Sequence, residues 1–412
     1  MKDFDLFMQI CRRIESYQPD MIQLQYDLTA IPALSPENGG DGEYAKARFL
    51  FSKLHTLGFR SIQQIDSADE RVSSGLRPNL FTEIQGKHDD CTVWILTHMD
   101  VVPPGERVFW EDDPYHACMK NGRIYGRGTE DNQQDLVASI FAARAFLDEC
   151  IVPEHSIGLA LVSDEETNSQ HGLYFILNHP KNPFRKGDWL VVPDAGNEDG
   201  SMIEVAEKSI LWVRFRIAGK QCHASRPKQG RNAFLSASHL AILLDESLHA
   251  SFNIRDEIFD PPESTFELTK RDANVPNVNT IPGEDVFYMD CRVLPRYSLL
   301  EVLKTMREAA DEIESRFNVQ VTLEVVQQGE APAPTPIDAP VVGALRSAVR
   351  DIYGVKAIPR GIGGNTVAAF LRRDGYHAVV WSRVDMMAHQ PNEYCMISNM
   401  IGNAKVFAHL FL

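Results

Sequence analysis

This 412-residue sequence has no excess of positive charge, no paired-cysteine motif and no long apolar run. Each absence removes a class of function. Lysine and arginine number 41 against 57 aspartates and glutamates, a formal net charge of -16. That balance excludes nucleic acid as an expected partner, because phosphate binding draws on a basic surface. The seven cysteines (Cys11, Cys91, Cys118, Cys150, Cys222, Cys291 and Cys395) are scattered, odd in number and without a CxxC. A reduced, cytoplasmic setting is therefore expected instead of a disulfide framework. The opening MKDFDLFMQICRRIESY is charged throughout and lacks the apolar core of a signal peptide, so it reads as an amphipathic helix. No apolar run is long enough to cross a membrane, and none is expected to do so. Internal repeats are also missing, as is a GxxxxGK[ST] or Rossmann glycine pattern, which leaves no nucleotide-binding motif.

What is present describes an ordinary globular chain, 44% hydrophobic and too long for one core to be the default. Strand and helix patterns alternate through the first half. Val93 to Asp100, Ile157 to Ser163 and Trp189 to Val192 read as buried strands, and Asp135 to Glu149 as a helix apolar on one side. This βαβ rhythm predicts an α/β fold with a mostly parallel sheet covered by helices. Near Ser209 the rhythm changes to strand, helix (Asn232 to His249), strand, strand, helix (Leu299 to Phe317), strand, the βαββαβ order of a small α+β unit. The Pro/Ala-rich segment Glu330 to Pro340 marks the return to α/β behaviour. The expected organisation is a large discontinuous domain, 1–208 and 329–412, with an inserted α+β domain at 209–328.

Five segments of the large domain deliver ligand-type side chains: THMDVVPPG (His98, Asp100), GRIYGRGTEDN (Asp131), SDEET (Glu165, Glu166), VVPDAGN (Asp194) and AHQPNEY (His389). Each follows an apolar run or sits in a Gly/Pro-rich loop, and strand ends are where open α/β sheets gather ligands. Two histidines with several carboxylates form the borderline donor set suited to zinc, cobalt or manganese. Taken singly, each residue has a plainer reading. His98 fits a satisfied core histidine, Asp131 an N-cap, Glu165 and Glu166 surface acids, and Asp100, Asp194 and His389 turn or loop positions. Their convergence on strand-end connections favours a metal site.

These segments, with the downstream Trp110 to Pro114, resemble the dinuclear zinc amidohydrolases and exopeptidases that include acetylornithine deacetylase, succinyl-diaminopimelate desuccinylase and related dipeptidases and carboxypeptidases. The resemblance spans nearly the whole chain. It implies a zinc-exopeptidase-like catalytic domain whose insert serves as lid and dimer contact. It also implies two divalent ions, Zn2+ with Co2+ or Mn2+ as substitutes. His98 and Asp194 would serve one ion and Glu166 and His389 the other, with Asp131 bridging and preceded by a cis peptide. Asp100 would orient His98 from the same strand face, and Glu165 would be general base and acid.

In the insert, the same resemblance gives His223 an oxyanion role, in its own or a partner subunit's site. It makes Asn279 and Arg292 candidates for a substrate carboxylate. Arg292 is equally compatible with a structural pair to Asp290 or a helix acid. GIGGNTVAAFLRR (Gly361 to Arg373) reads as glycines opening a helix that could receive an anion, and the resemblance implies that Gly364, Asn365 and Thr366 face substrate. Two positions depart from the family pattern: Gln133 stands where many relatives have Lys, and Asp194 where many deacylases have Glu. The latter tilts the expectation toward a small peptide as substrate and an exopeptidase or dipeptidase activity. An N-acyl amino acid deacylase is the alternative. A fold-retaining protein without catalysis should have lost Glu165 or a ligand, and a mononuclear sugar or lipid deacetylase would not need Asp131 as a bridge.

Overall fold

A computed structural model describes residues 4–412. The N-terminal helix Phe4–Ser16 turns Phe7, Ile10, Cys11 and Ile14 inward at helical spacing, and the first three residues of the expected helix lie outside the described residues. Among the described residues no helix is long and apolar enough to cross a membrane.

The chain divides into two compact units. One holds Met1–Val205, Thr335–Pro359 and Thr366–Leu412; the other holds Ala206–Pro334 and Arg360–Asn365. The fold is α/β, with a large mixed sheet at its heart. Across that sheet the strands run Ile62–Ala68, Leu76–Ile84, His155–Val162, His88–His98, Trp189–Val192, Ala378–Val380, Met202–Glu207 and Ile358–Ile362. The central four, from His155–Val162 to Ala378–Val380, are mutually parallel. Antiparallel pairings flank them. The central strands are nearly continuous apolar runs because both faces are covered. Trp94, Leu96, Ala160, Val162, Leu190 and Val380 pack on one side.

Helix Gln134–Asp148 is buried almost all round, not on one side as its pattern suggests. Its small residues Ala138, Ser139, Ala142 and Ala143 let other elements close on every face, including helix Ile397–Phe411. The parallel core has one consequence for chemistry: its four strands all release the chain at the same edge of the sheet.

The second unit is a four-stranded antiparallel sheet, ordered Thr265–Arg271, Glu284–Val293, Ser209–Ala218, Gln320–Gly329. Alternate residues Leu211, Val213, Phe215 and Ile217 point into a core with Leu240, Leu244, Val302 and Met306 from helices Ala233–Ser251 and Leu299–Phe317. Each large side chain fully buried there contributes about 1.5–3 kcal/mol. Gly361 approaches Phe259 so closely that an added Cβ would meet the ring at 2.3 Å, which explains a glycine in that strand.

Candidate metal centre

The four parallel strands deliver most of the site. His98 ends one; Glu165 and Glu166 follow the next by a few residues; Asp194 follows Val192; and the loop to His389 leaves Val380. Asp131 comes from the turn before helix Gln134–Asp148. That turn needs glycine: Gly128 has φ 84°, and a Cβ there would meet the Val101 side chain at 2.5 Å.

Asp131 lies at the centre. Its Oδ1 stands 3.0 Å from His98 Nε2 and its Oδ2 stands 3.1 Å from His389 Nε2. Asp194 Oδ1 reaches the same His98 nitrogen at 3.2 Å, and Glu166 Oε2 reaches the His389 nitrogen at 3.1 Å. Two clusters result, His98–Asp131–Asp194 and Asp131–Glu166–His389, each with ligand atoms within 4.8 Å of one another. The capping reading of Asp131 fails, since the following helix has Gln133 as its N-cap with no side-chain cap bond, and the Asp131 carboxylate faces the two histidines. The cis peptide bond is Asp131–Asn132, so it follows Asp131 instead of preceding it.

Asp100 differs from expectation in position. The strand stops at His98, so Asp100 lies just past it and not on the same strand face. His98 Nδ1 meets the Asp100 main-chain carbonyl at 3.0 Å and its carboxylate at 3.5 Å. The carboxylate instead accepts the backbone N–H groups of Glu165 (3.1 Å) and Glu166 (3.0 Å). Asp100 therefore holds the imidazole through its main-chain carbonyl and both glutamates through its carboxylate. Asp164, the first acid of SDEET, turns away to Arg77, the Thr167 hydroxyl and the His171 N–H.

Charges in the site act strongly on one another. Burial opposes the His98 imidazolium, but bonds to Asp100, Asp131 and Asp194 outweigh it and hold the ring well above the usual histidine range. Asp131 and Glu166 push His389 up to about 10. Asp131, although buried, is held below the carboxylate range by its bonds to His389 and His98. Burial and the neighbouring Asp131 charge push Glu166 up to about 7. Burial, then the Asp194 charge, pushes Glu165 well above the usual carboxylate range. Negative charge so concentrated asks for cations. Among the described residues the buried Glu166 Oε1 has no hydrogen-bond partner, and the His/carboxylate set has the right chemistry, so the residues present fit divalent metal.

The remaining expected residues are not all free to meet a ligand. His223 is exposed on strand Cys222–His223, its Nδ1 2.8 Å from the Ser225 hydroxyl. Asn279 lies beside it, its carbonyl accepting the Ala224 N–H at 2.8 Å. Arg292 forks onto Asp290 (2.7 and 3.0 Å) and donates to the Gly363 carbonyl at 3.0 Å, so the pair to Asp290 that its spacing allowed is formed. Gly364, Asn365 and Thr366 form the loop before Ala368–Arg373, a helix of six residues. Thr366 Oγ1 accepts the Ala368 N–H at 3.3 Å.

Sequence reading passed over two buried carboxylates, Glu130 and Glu393. Both stand inside motifs already quoted, one residue before Asp131 and four after His389. Burial pushes Glu130 up to about 7.

Comparison with known proteins gives a consistent result. The family model described as Peptidase family M20/M25/M40 matches residues 94–412. An uncharacterized metallohydrolase of Methanococcus maripaludis is 37% identical, over 96% of this chain and 99% of that protein. The succinyl-diaminopimelate desuccinylase of Bordetella pertussis is 26% identical, over 92% and 94%. Human carnosine dipeptidase 1 superposes with a TM-score of 0.73 at 18% identity, covering 99% of this chain and 98% of that one. The aminopeptidase PepT of Bacillus cereus gives 0.74 at 18%, covering 96% and 98%.

Proposed function

The chain belongs to peptidase family M20/M25/M40, a family of metal-dependent hydrolases, and on that premise we propose that it cleaves the amide bond of a small carboxylate-bearing peptide, as a two-metal exopeptidase or dipeptidase. The observation that carries this reading is Asp131, whose two oxygens face different histidines, each paired with its own terminal carboxylate. Two ions bound there, zinc or else cobalt or manganese, would supply Lewis acidity toward a carbonyl and a lowered pKa for water.

The chain's own residues then divide the work. His98 and Asp194 would hold one position, Glu166 and His389 the other, with Asp131 common to both. Asp100 braces His98 and the backbone of both glutamates. Glu165, which burial disposes to take up a proton, accepts one from the attacking water and returns it to the leaving amine. His223 would stabilise the developing oxyanion and Asn279 would bind the substrate carboxylate, with Gly364, Asn365 and Thr366 as further contacts. Arg292 would have to leave Asp290 to join them. The expected insert, 209–328, would act as lid and as the contact between two copies. The seven unpaired cysteines suit a cytoplasmic enzyme.

A second reading, an N-acyl amino acid deacylase, draws support from the similarity to the Bordetella pertussis desuccinylase. The test is amine release by purified protein, supplied with zinc, cobalt or manganese. The panel is dipeptides, tripeptides, N-acetylornithine and N-succinyl-diaminopimelate. Selective turnover of peptides upholds the first reading, and selective turnover of one acylated amino acid installs the second. Silence across the panel with ions bound would sink both substrate classes.

A further inference from the structure

The loops carrying Asp131 and His389 are tied to each other by two buried carboxylates outside the ligand set. Glu393, wholly buried, accepts the backbone N–H groups of Gly128 (3.0 Å), Glu130 (2.9 Å) and Asp131 (3.1 Å). It also takes the Arg127 guanidinium at 2.6 Å. Glu130, 3% exposed, reaches the opposite way and accepts the N–H groups of Asp385 (2.6 Å), Met387 and Ala388 (3.1 Å). Each carboxylate sits on one loop and organises the backbone of the other.

The two histidines differ in how much they need such help. His98 ends an eleven-residue strand and is 2% exposed. The His389 side chain is 56% exposed, on a loop that puts Met386 (φ 62°), His389 (φ 63°) and Asn392 (φ 58°) in the left-handed region. Non-glycine residues adopt that region only when the surroundings hold them there. Charge-assisted bonds to backbone N–H groups are among the stronger means of doing so.

We propose that Glu130 is a positioning residue for His389, reciprocated by Glu393 on the Asp131 loop. Its carboxylate fixes the 385–388 backbone so that His389 Nε2 meets Asp131 Oδ2 and Glu166 Oε2 before an ion arrives. The clasp stands on hydrogen bonds alone. Only its effect on metal binding rests on the metal-centre reading above.

Two measurements test it separately. In metal-free wild-type protein, hydrogen exchange at the amides of Asp385, Met387 and Ala388 should be slow although this is a solvent-facing loop. Exchange as fast as in an open loop would overturn the clasp. Zinc titration of apo Glu130→Gln should show affinity for one of two ions reduced about 10–100-fold, as expected when an outer support of a ligand is lost. Affinity for the other ion should stay near wild type. Equal affinities in variant and wild type, or equal loss of both ions, would overturn the positioning role. Should Glu130→Gln fail to fold, the wild-type amides still decide the clasp. Protected amides in a wild type that binds no zinc would leave the clasp standing and remove the metal reading.

Discussion

In the second unit the buried side chains are almost all apolar, with Glu207, Lys208 and Asp285 as its buried charges. The first unit hides Glu43, Lys46, Arg77, Asp100, Glu130 and Glu393, among others. Burying charge costs several kcal/mol per ion unless partners offset it, so a fold seeking stability alone would resemble the second unit. In the first, much of the buried charge holds loops that carry the candidate ligands: Asp100 the backbone of Glu165 and Glu166, Glu393 that of Asp131, Glu130 that of the His389 loop. Arg77 and Glu43 brace the strand end behind them, since Glu43 also accepts the Asp164 N–H.

Substitutions should separate the two kinds of interior. Glu165→Ala is expected to lower kcat by about 10²–10⁴-fold, the usual contribution of a general base, with metal content by elemental analysis unchanged. Normal turnover in that variant would remove Glu165 from the chemistry. Arg77→Met leaves Glu43, Asp69 and Asp164 facing one another without their shared cation. Breaking such a buried pair should cost about 3–5 kcal/mol by urea denaturation and weaken metal binding. Met306→Ala, in the apolar core of the second unit, should cost about 2–5 kcal/mol and leave metal binding untouched. Equal effects of these two on metal affinity would dissolve the contrast.

Lys46 offers a pH-dependent test. Burial pushes its ammonium down to about 8, against the pull of Asp100, Glu43 and Glu393, and its Nζ has no hydrogen-bond partner among the described residues. Between that value and the ordinary lysine pKa of about 10.4, the unfolded chain binds the extra proton. Stability contributed at this site therefore rises with pH. Wild type should gain stability relative to Lys46→Met between pH 8 and pH 10, and a flat difference would contradict the depressed value. The smallest expected effect is Ser298→Ala, which breaks the capping box of helix Leu299–Phe317. It should cost about 1 kcal/mol, with turnover unaffected.

Much of this was readable from the sequence where local signals suffice. Helix Leu299–Phe317 falls at its expected bounds because Ser298 and Glu301 cap it and its apolar stripe is regular. Most of the candidate ligands stand out because they follow branched apolar strands, and Asp131 because it lies in a glycine-marked turn. Strands Cys118–Lys120, Arg123–Tyr125 and Tyr394–Met396 escaped notice, since three residues carry no periodicity. Met202–Glu207 lacks alternation because nearly all of it is buried. Arg292 could not be decided by spacing, as Asp290 two residues earlier on one strand face is both a neighbour and a competitor. Glu130 and Glu393 were invisible for a different reason. Their partners lie more than 250 positions away, and no local pattern encodes such pairing.

The central claim is that Asp131 joins two cation positions. Anomalous scattering from crystals grown with manganese or zinc tests it most directly. Two peaks are predicted, one among His98, Asp131 and Asp194 and one among Asp131, Glu166 and His389. A single peak, or ions lying away from Asp131, would contradict the account.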